Sequence, residues 1–235
     1  MASSAPKRFL PLKQGAQKLP ADAPKLLRGV VFDMDGTLCE PQNYMFGEMR
    51  AALGITKAVD ILEHIDSLPD HKKPAAVESI RSIERTAMAS QKPQPGLMTL
   101  MSYLDTKGIP KAICTRNFDV PVKNLLDKFL DGTKFHPVVT REFRPPKPSP
   151  AGILHIAKNW GLEGDDGAVD ATGLIMVGDS IDDMTAGRSA GAATVLLVND
   201  VNRGLAEHAH TDLVIRTLDE LVDILEHGFV GRVIN

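Results

Sequence analysis

Two carboxylates stand two residues apart in Phe32-Asp33-Met34-Asp35-Gly36-Thr37-Leu38. Such a pair can divide the work of phosphoryl transfer. One carboxylate attacks phosphorus and forms an aspartyl-phosphate. The other protonates the leaving oxygen and then activates water. Gly36 permits the turn that brings both side chains to one place. Taken alone, Asp-x-Asp-Gly also describes an ordinary polar loop after a strand, so the other candidate groups decide the reading.

Thr115 closes Ile113-Cys114-Thr115-Arg116-Asn117. Its hydroxyl can donate to a transferring phosphoryl oxygen. Arg116 and Asn117 follow it directly and join it as substrate-binding candidates. Lys147 lies among prolines in Arg144-Pro145-Pro146-Lys147-Pro148-Ser149-Pro150. The prolines restrict the backbone there. A fixed ammonium at that point can neutralise phosphate charge and the Asp33 carboxylate. Val177-Gly178-Asp179-Ser180-Ile181-Asp182-Asp183-Met184-Thr185-Ala186-Gly187 brings more acids. Their oxygen donors suit Mg2+, a hard cation that takes few protein ligands and keeps several waters.

These groups need elements to hold them. Short apolar runs at 29–33, 111–115, 136–140, 174–179, 193–198 and 213–215 read as buried parallel strands. Pro137 argues for caution over the third. Helical spacing is found over 97–107, 120–130, 150–160, 183–190 and 218–226, with Ser149 expected to cap the third of these. The alternation predicts an α/β fold, a doubly wound Rossmann-like parallel sheet. Ligands in such sheets bind beyond the carboxyl ends of the strands. Asp33, Thr115 and Asp179 each end a predicted strand, so three strands deliver polar groups to one edge. The interval 40–95 breaks the pattern, with helices expected at 43–53, 57–67 and 75–89. It reads as a small helical cap inserted between core segments 29–39 and 96–235.

The four strings, in this order, resemble the motifs of the haloacid dehalogenase superfamily. Asp33-x-Asp35-Gly36-Thr37-Leu38 is similar to its first motif and strand-end Thr115 to its second. Lys147 in Lys-Pro-x-Pro is similar to the third. Gly178-Asp179-Ser180-x-x-Asp183-x-x-Ala186-Gly187 is similar to the fourth. The resemblance runs from about Gly29 to Glu226. An insertion between the first and second motifs resembles the helical-cap group, which includes phosphoglycolate phosphatase-like and β-phosphoglucomutase-like enzymes. This insertion looks short for that group, which implies a less completely covered site.

The resemblance implies Asp33 as nucleophile, Asp35 as acid and base, and Thr115 and Lys147 as phosphoryl-binding catalytic groups. It implies Mg2+ held by Asp33, the backbone carbonyl of Asp35 and Asp179, with Asp183 supporting that site. Asp182 falls at a variable position and is expected to be exposed. An acid at position 35 suits an alkoxide leaving group, and the family's dehalogenases generally lack it. The expected function is therefore a Mg2+-dependent phosphatase acting on a small phosphorylated metabolite. The alternatives are a phosphosugar mutase of the β-phosphoglucomutase type, a haloacid dehalogenase and a non-catalytic binding protein. A mutase would need sugar-orienting groups on the cap. Arg50, His64, His71, Lys72 and Lys73 are candidates, each with surface charge as its default reading.

The rest of the chain narrows the setting. A net charge of -3 over 235 residues does not suggest a nucleic-acid binder. No apolar run suggests a membrane span or a secretory signal. Two cysteines, Cys39 and Cys114, are too few for a disulfide framework and are expected to be reduced. Residues 1–28 are Lys-biased and broken by Pro6, Pro11, Pro20 and Pro24, which fits a transit peptide poorly. The expectation is a flexible leader on a cytoplasmic protein, with a nuclear location also open. His136 and His155 fall on predicted core elements, where a structural role is expected.

Overall fold

The structure is a computed structural model that describes residues 6–12, 24–164 and 166–233. Six parallel strands form one sheet: β1 Gly29–Phe32, β2 Lys111–Cys114, β3 Val138–Val139, β4 Leu174–Gly178, β5 Ala193–Leu197 and β6 Leu213–Ile215. Their order is β3-β2-β1-β4-β5-β6. The chain builds outward from β1 in one direction, then returns and builds in the other. The crevice at such a switch point is where open α/β sheets bind ligands.

Both faces of the sheet are covered, so the strands are apolar throughout. Val30 and Phe32 face one layer, with α4 Leu97–Thr106, α5 Asp119–Phe129 and α8 Glu220–His227. Val31 faces the other, with α6 Ala151–Asn159 and α7 Ile181–Ala190. Phe32 is fully buried, worth about 1.5–3 kcal/mol relative to exposure. It pairs in register with Ile113 of β2 and Val177 of β4. That register sets the ends of the three central strands level, so the residues that follow them emerge together.

Between β1 and α4 lie α1 Asn43–Leu53, α2 Ile61–Ser67 and α3 Lys73–Ala89. They bury their own apolar cluster, with Met45 and Met49, Ile61 and Ile65, and Ile80. Phe118, from the loop after β2, completes that cluster. The insertion is thus fastened to the sheet edge by a core aromatic.

Several boundaries differ from expectation for local reasons. α2 starts at Ile61 rather than at 57, because Asp60 accepts the Leu62 and Glu63 N–H groups and sets the N-terminus. α6 begins at Ala151, with Pro150 at the cap position and Ser149 Oγ accepting the Ala151 N–H at 3.3 Å. β3 is two residues long where 136–140 was expected, since Pro137 has no N–H to give a ladder.

The flexible-leader expectation needs correcting. Phe9 is buried edge-on against Phe229, and its N–H donates to the Phe229 carbonyl at 2.9 Å. Leu10 N–H donates to the Lys25 carbonyl, and Leu27 is buried. Hydrophobic burial of two side chains fixes these segments despite their prolines. The parts of the leader at 1–5 and 13–23 lie outside the described residues. Among the described residues no helix is long and apolar enough to cross a membrane.

Candidate active site

The chain leaves β1 at Asp33 and turns at once. The Met34 carbonyl accepts the N–H groups of Leu38 at 2.8 Å, Cys39 at 3.1 Å and Thr37 at 3.2 Å. Gln94 donates to the Gly36 carbonyl at 2.8 Å. Gly36 has φ +76°, and a Cβ there would lie 2.1 Å from Asp179 Oδ2. Only glycine allows both the backbone conformation and the approach. This is how the first acidic string reaches the last.

Lys147 Nζ lies 2.6 Å from Asp33 Oδ1 and 2.5 Å from Asp183 Oδ1, deeply buried. Burial works against its charge, but Asp183 and Asp33 outweigh it and hold the ammonium above its ordinary range. Asp183 is itself fixed. Its Oδ2 accepts from the Ser180 N–H at 3.0 Å and from Ser180 Oγ at 2.6 Å, a reciprocal cap on α7. The loop of prolines thus aims a cation at two carboxylates at once.

Acceptor atoms of Asp33, Asp179 and Asp183 lie within 4.8 Å of one another. Burial pushes Asp33 up to about 7, against Lys147 and together with Asp183 and Asp35. Burial pushes Asp179 up to about 8, aided by Asp183 and Asp33. One ammonium does not offset this crowd of negative charge. A divalent cation among hard oxygen donors would, so the residues fit a metal site. Asn199 donates to Asp179 Oδ2 at 3.1 Å, and Asn202 donates to the Asp179 carbonyl at 2.7 Å.

Asp35 turns away from that cluster, so a metal role for it would rest on its backbone carbonyl. Its Oδ2 accepts from Asn117 Nδ2 at 2.6 Å, and Cys39 Sγ lies 3.4 Å from Oδ1. Burial raises its pKa, against both hydrogen bonds. Thr115 Oγ1 accepts the Asn117 N–H at 3.2 Å, which leaves the hydroxyl proton to donate elsewhere. Asp33, Asp35, Thr115, Asn117, Lys147 and Asp179 line one cleft of about 490 Å3.

The opposite wall comes from the insertion. Phe46, Met49, Arg50, Ile61, Leu62 and Glu84 line it. Arg116 bridges the two sides, donating to Asp60 at 2.6 Å and to Asp182 at 2.5 Å. Arg144 reaches Asp66 of α2 at 3.1 Å, and Arg141 approaches Glu84 of α3 at 3.8 Å. In each contact across the cleft the core supplies the arginine and the insertion the acid: Asp60 just before α2, Asp66 on α2 and Glu84 on α3, while Asp182 lies on α7 of the core.

A family model for a haloacid dehalogenase-like hydrolase matches residues 27–191. The chain belongs to that family. An uncharacterized hydrolase of Saccharomyces cerevisiae is 45% identical over 220 residues, covering 91% of this chain and 95% of that one. Phosphoglycolate phosphatase 1 of Pseudomonas aeruginosa is 27% identical over 230 residues, covering 86% and 81%. A crystal structure of a HAD hydrolase, family IA, variant 3, from Entamoeba histolytica superposes with a TM-score of 0.69 at 20% identity. It covers 85% of this chain and all of that one, and it supports the fold.

Within this hydrolase several residues sit differently from their sequence reading. Asp182 is half-buried and paired with Arg116, not exposed. Arg116 is tied to two acids at the rim of the cleft, so a substrate would have to compete for it. Of the cap candidates Arg50, His64, His71, Lys72 and Lys73, only Arg50 lines the cleft. His136 and His155 are exposed, with His155 packed on Phe143. Cys39 and Cys114 are free and buried. Asp60, Glu84, Arg141, Asn199 and Asn202 were not singled out in the sequence. Asp60 alone carried a signal, as an acid before an apolar helical run.

Proposed function

We propose that this hydrolase is a Mg2+-dependent phosphatase that cleaves a small phosphate monoester through an aspartyl-phosphate on Asp33. The observation that carries the reading is the half-buried Asp35 carboxyl, held by Asn117 two residues beyond the candidate nucleophile. Its raised pKa favours a proton to donate, which an alkoxide leaving group requires and a halide does not. The Pseudomonas aeruginosa relative, named a phosphoglycolate phosphatase, supports the same reaction class.

Asp33 attacks phosphorus while the bond to the leaving oxygen breaks, and Asp35 gives that oxygen its proton. Asp35, now a carboxylate, takes a proton from water as the water attacks the aspartyl-phosphate. Phosphate leaves, and Asp33 and Asp35 return to their starting states. Lys147 and the Thr115 hydroxyl stabilise the phosphoryl oxygens as charge shifts onto them. Asn117 orients Asp35, and Arg116 borders the substrate at the rim. Asp33, Asp179 and the Asp35 carbonyl would hold Mg2+, with Asp183 supporting, and the ion would supply neutralisation of phosphoryl charge. Segments 29–39 and 96–235 act as the catalytic core, and 40–95 as the selectivity-bearing cap.

The test is phosphate release from a panel of monoesters with and without Mg2+. Asp33→Asn should lower turnover by at least about 10^4-fold, the scale of removing a covalent nucleophile. Turnover in that variant within tenfold of wild type would sink the reading.

A further inference from the structure

The cleft also has groups that the phosphoryl chemistry leaves unused. Glu84, on α3, is 4% exposed, and its Oε2 has no hydrogen-bond partner among the described residues. Arg141 follows β3 and is 6% exposed. Its Nη1 stands 3.8 Å from Glu84 Oε1, beyond hydrogen-bond length. The Arg141 guanidinium stacks on Phe118, its Cζ 4.2 Å from the ring centroid. Arg50, on α1, buries an Nε with no partner. All three residues line the cleft that holds Asp33 and Asp35.

Buried charged groups are ordinarily saturated, because each unmade hydrogen bond costs about 1–3 kcal/mol. A purely structural ion pair would close to contact. This one is kept apart by its supports. Arg141 is pinned through its N–H to the Asn117 carbonyl at 2.9 Å and by stacking on Phe118. Arg81 covers Phe118 as well, its Cζ 4.5 Å from the ring centroid. An acceptor and a donor therefore face the cleft with open valences, side by side.

The occupant must satisfy both. A carboxylate would meet the Glu84 charge, and an ammonium would meet Arg141. Hydroxyl groups donate to Glu84 and accept from Arg141 and Arg50 without adding charge. We propose that Glu84, Arg141 and Arg50 form the leaving-group subsite and take a polyhydroxylated alcohol, so that the substrate is a phosphate monoester of a sugar or polyol. The inference rests on the phosphatase reading above and names its substrate class.

The experiment compares kcat/KM, with Mg2+, for sugar and polyol phosphates, for phosphoglycolate and for p-nitrophenyl phosphate. The best sugar or polyol phosphate should exceed phosphoglycolate by about tenfold or more. Glu84→Gln should lower kcat/KM for that substrate by about 10–100-fold, chiefly through KM, as loss of a hydrogen bond to a charged group does. The loss on p-nitrophenyl phosphate should be at least about tenfold smaller, since its leaving group offers no alcohol hydroxyls to the subsite. Lys57→Ala, at an exposed cap position, should leave both substrates unchanged. Equal losses on both substrates in a folded Glu84→Gln variant would overturn the subsite. So would a wild-type preference for phosphoglycolate, which needs no variant at all. Wild-type protein that hydrolyses no monoester would instead defeat the phosphatase reading.

Discussion

At the carboxyl edge of the sheet, Lys147 touches two carboxylates, Asp183 accepts two bonds from Ser180, and Asn117 holds Asp35. Across the cleft, Glu84 and Arg141 stand 3.8 Å apart with hydrogen-bonding capacity to spare. The side chains of the first wall are held in place by one another, ready for a cation and a phosphoryl group; those of the second lack such partners and are left for the rest of the ligand to complete. That contrast follows the chemistry. A phosphoryl group is the same in every monoester, so its site can be fully preorganised. The alcohol is what varies, and recognising it requires valences kept open.

The preorganised wall should break hardest. Asp179→Asn should lower kcat/KM by about 100-fold or more, with partial recovery at high Mg2+, read from Mg2+ titrations of turnover. Full activity at ordinary Mg2+ would remove Asp179 from the site. Gly36→Ala should follow. The methyl would sit 2.1 Å from Asp179 Oδ2 in a left-handed turn, so a loss of about 2–4 kcal/mol is expected in urea unfolding. A variant as stable as wild type would mean that the turn and Asp179 are not so tightly fitted.

The open wall should show itself as a pH dependence of stability. Burial raises Glu84 from 4.5 to about 7, against Arg141 and with Asp35 nearby. Burial also lowers Arg141 to about 10, against Glu84. The unfolded chain loses the Glu84 proton first, so the folded state binds more protons between those values. Stability should therefore fall as pH rises from 4.5 towards 7. Glu84→Gln removes that contribution. The variant should gain about 1–2 kcal/mol on wild type across the window, in unfolding midpoints measured without substrate. Parallel pH curves would show that Glu84 is already satisfied. The smallest effect belongs to the rim. Arg144→Ala breaks an exposed pair with Asp66 and should shift stability by less than about 0.5 kcal/mol. A larger shift would make that bridge a real fastener of the cap.

The two walls also differ in how far they could be read from sequence. Asp33, Asp35, Thr115 and Asp179 sit in short strings at strand ends, Lys147 in the loop before a helix, and a parallel sheet carries all of these to one edge. Local pattern and global fold agree there. Glu84 lies in a long amphipathic helix, where an acid reads as solvated, and Arg141 lies in a loop. Neither acquires meaning until the insertion folds back and Phe118 enters its cluster. Phe9 was missed for the opposite reason. Its proline- and lysine-rich surroundings read as a leader, while burial against Phe229 outweighs them. Asp183 was legible as an acid of the last string, but its cap on α7 and its grip on Lys147 needed coordinates.

The central claim is a covalent intermediate on Asp33. The most direct measurement is rapid acid quenching of the enzyme during turnover of a radiolabelled phosphate monoester with Mg2+, followed by peptide mapping. The account predicts a hydroxylamine-labile phosphoryl group on the peptide that contains Asp33, absent in Asp33→Asn. Steady phosphate release with no label on the protein, or label on another residue, would contradict it.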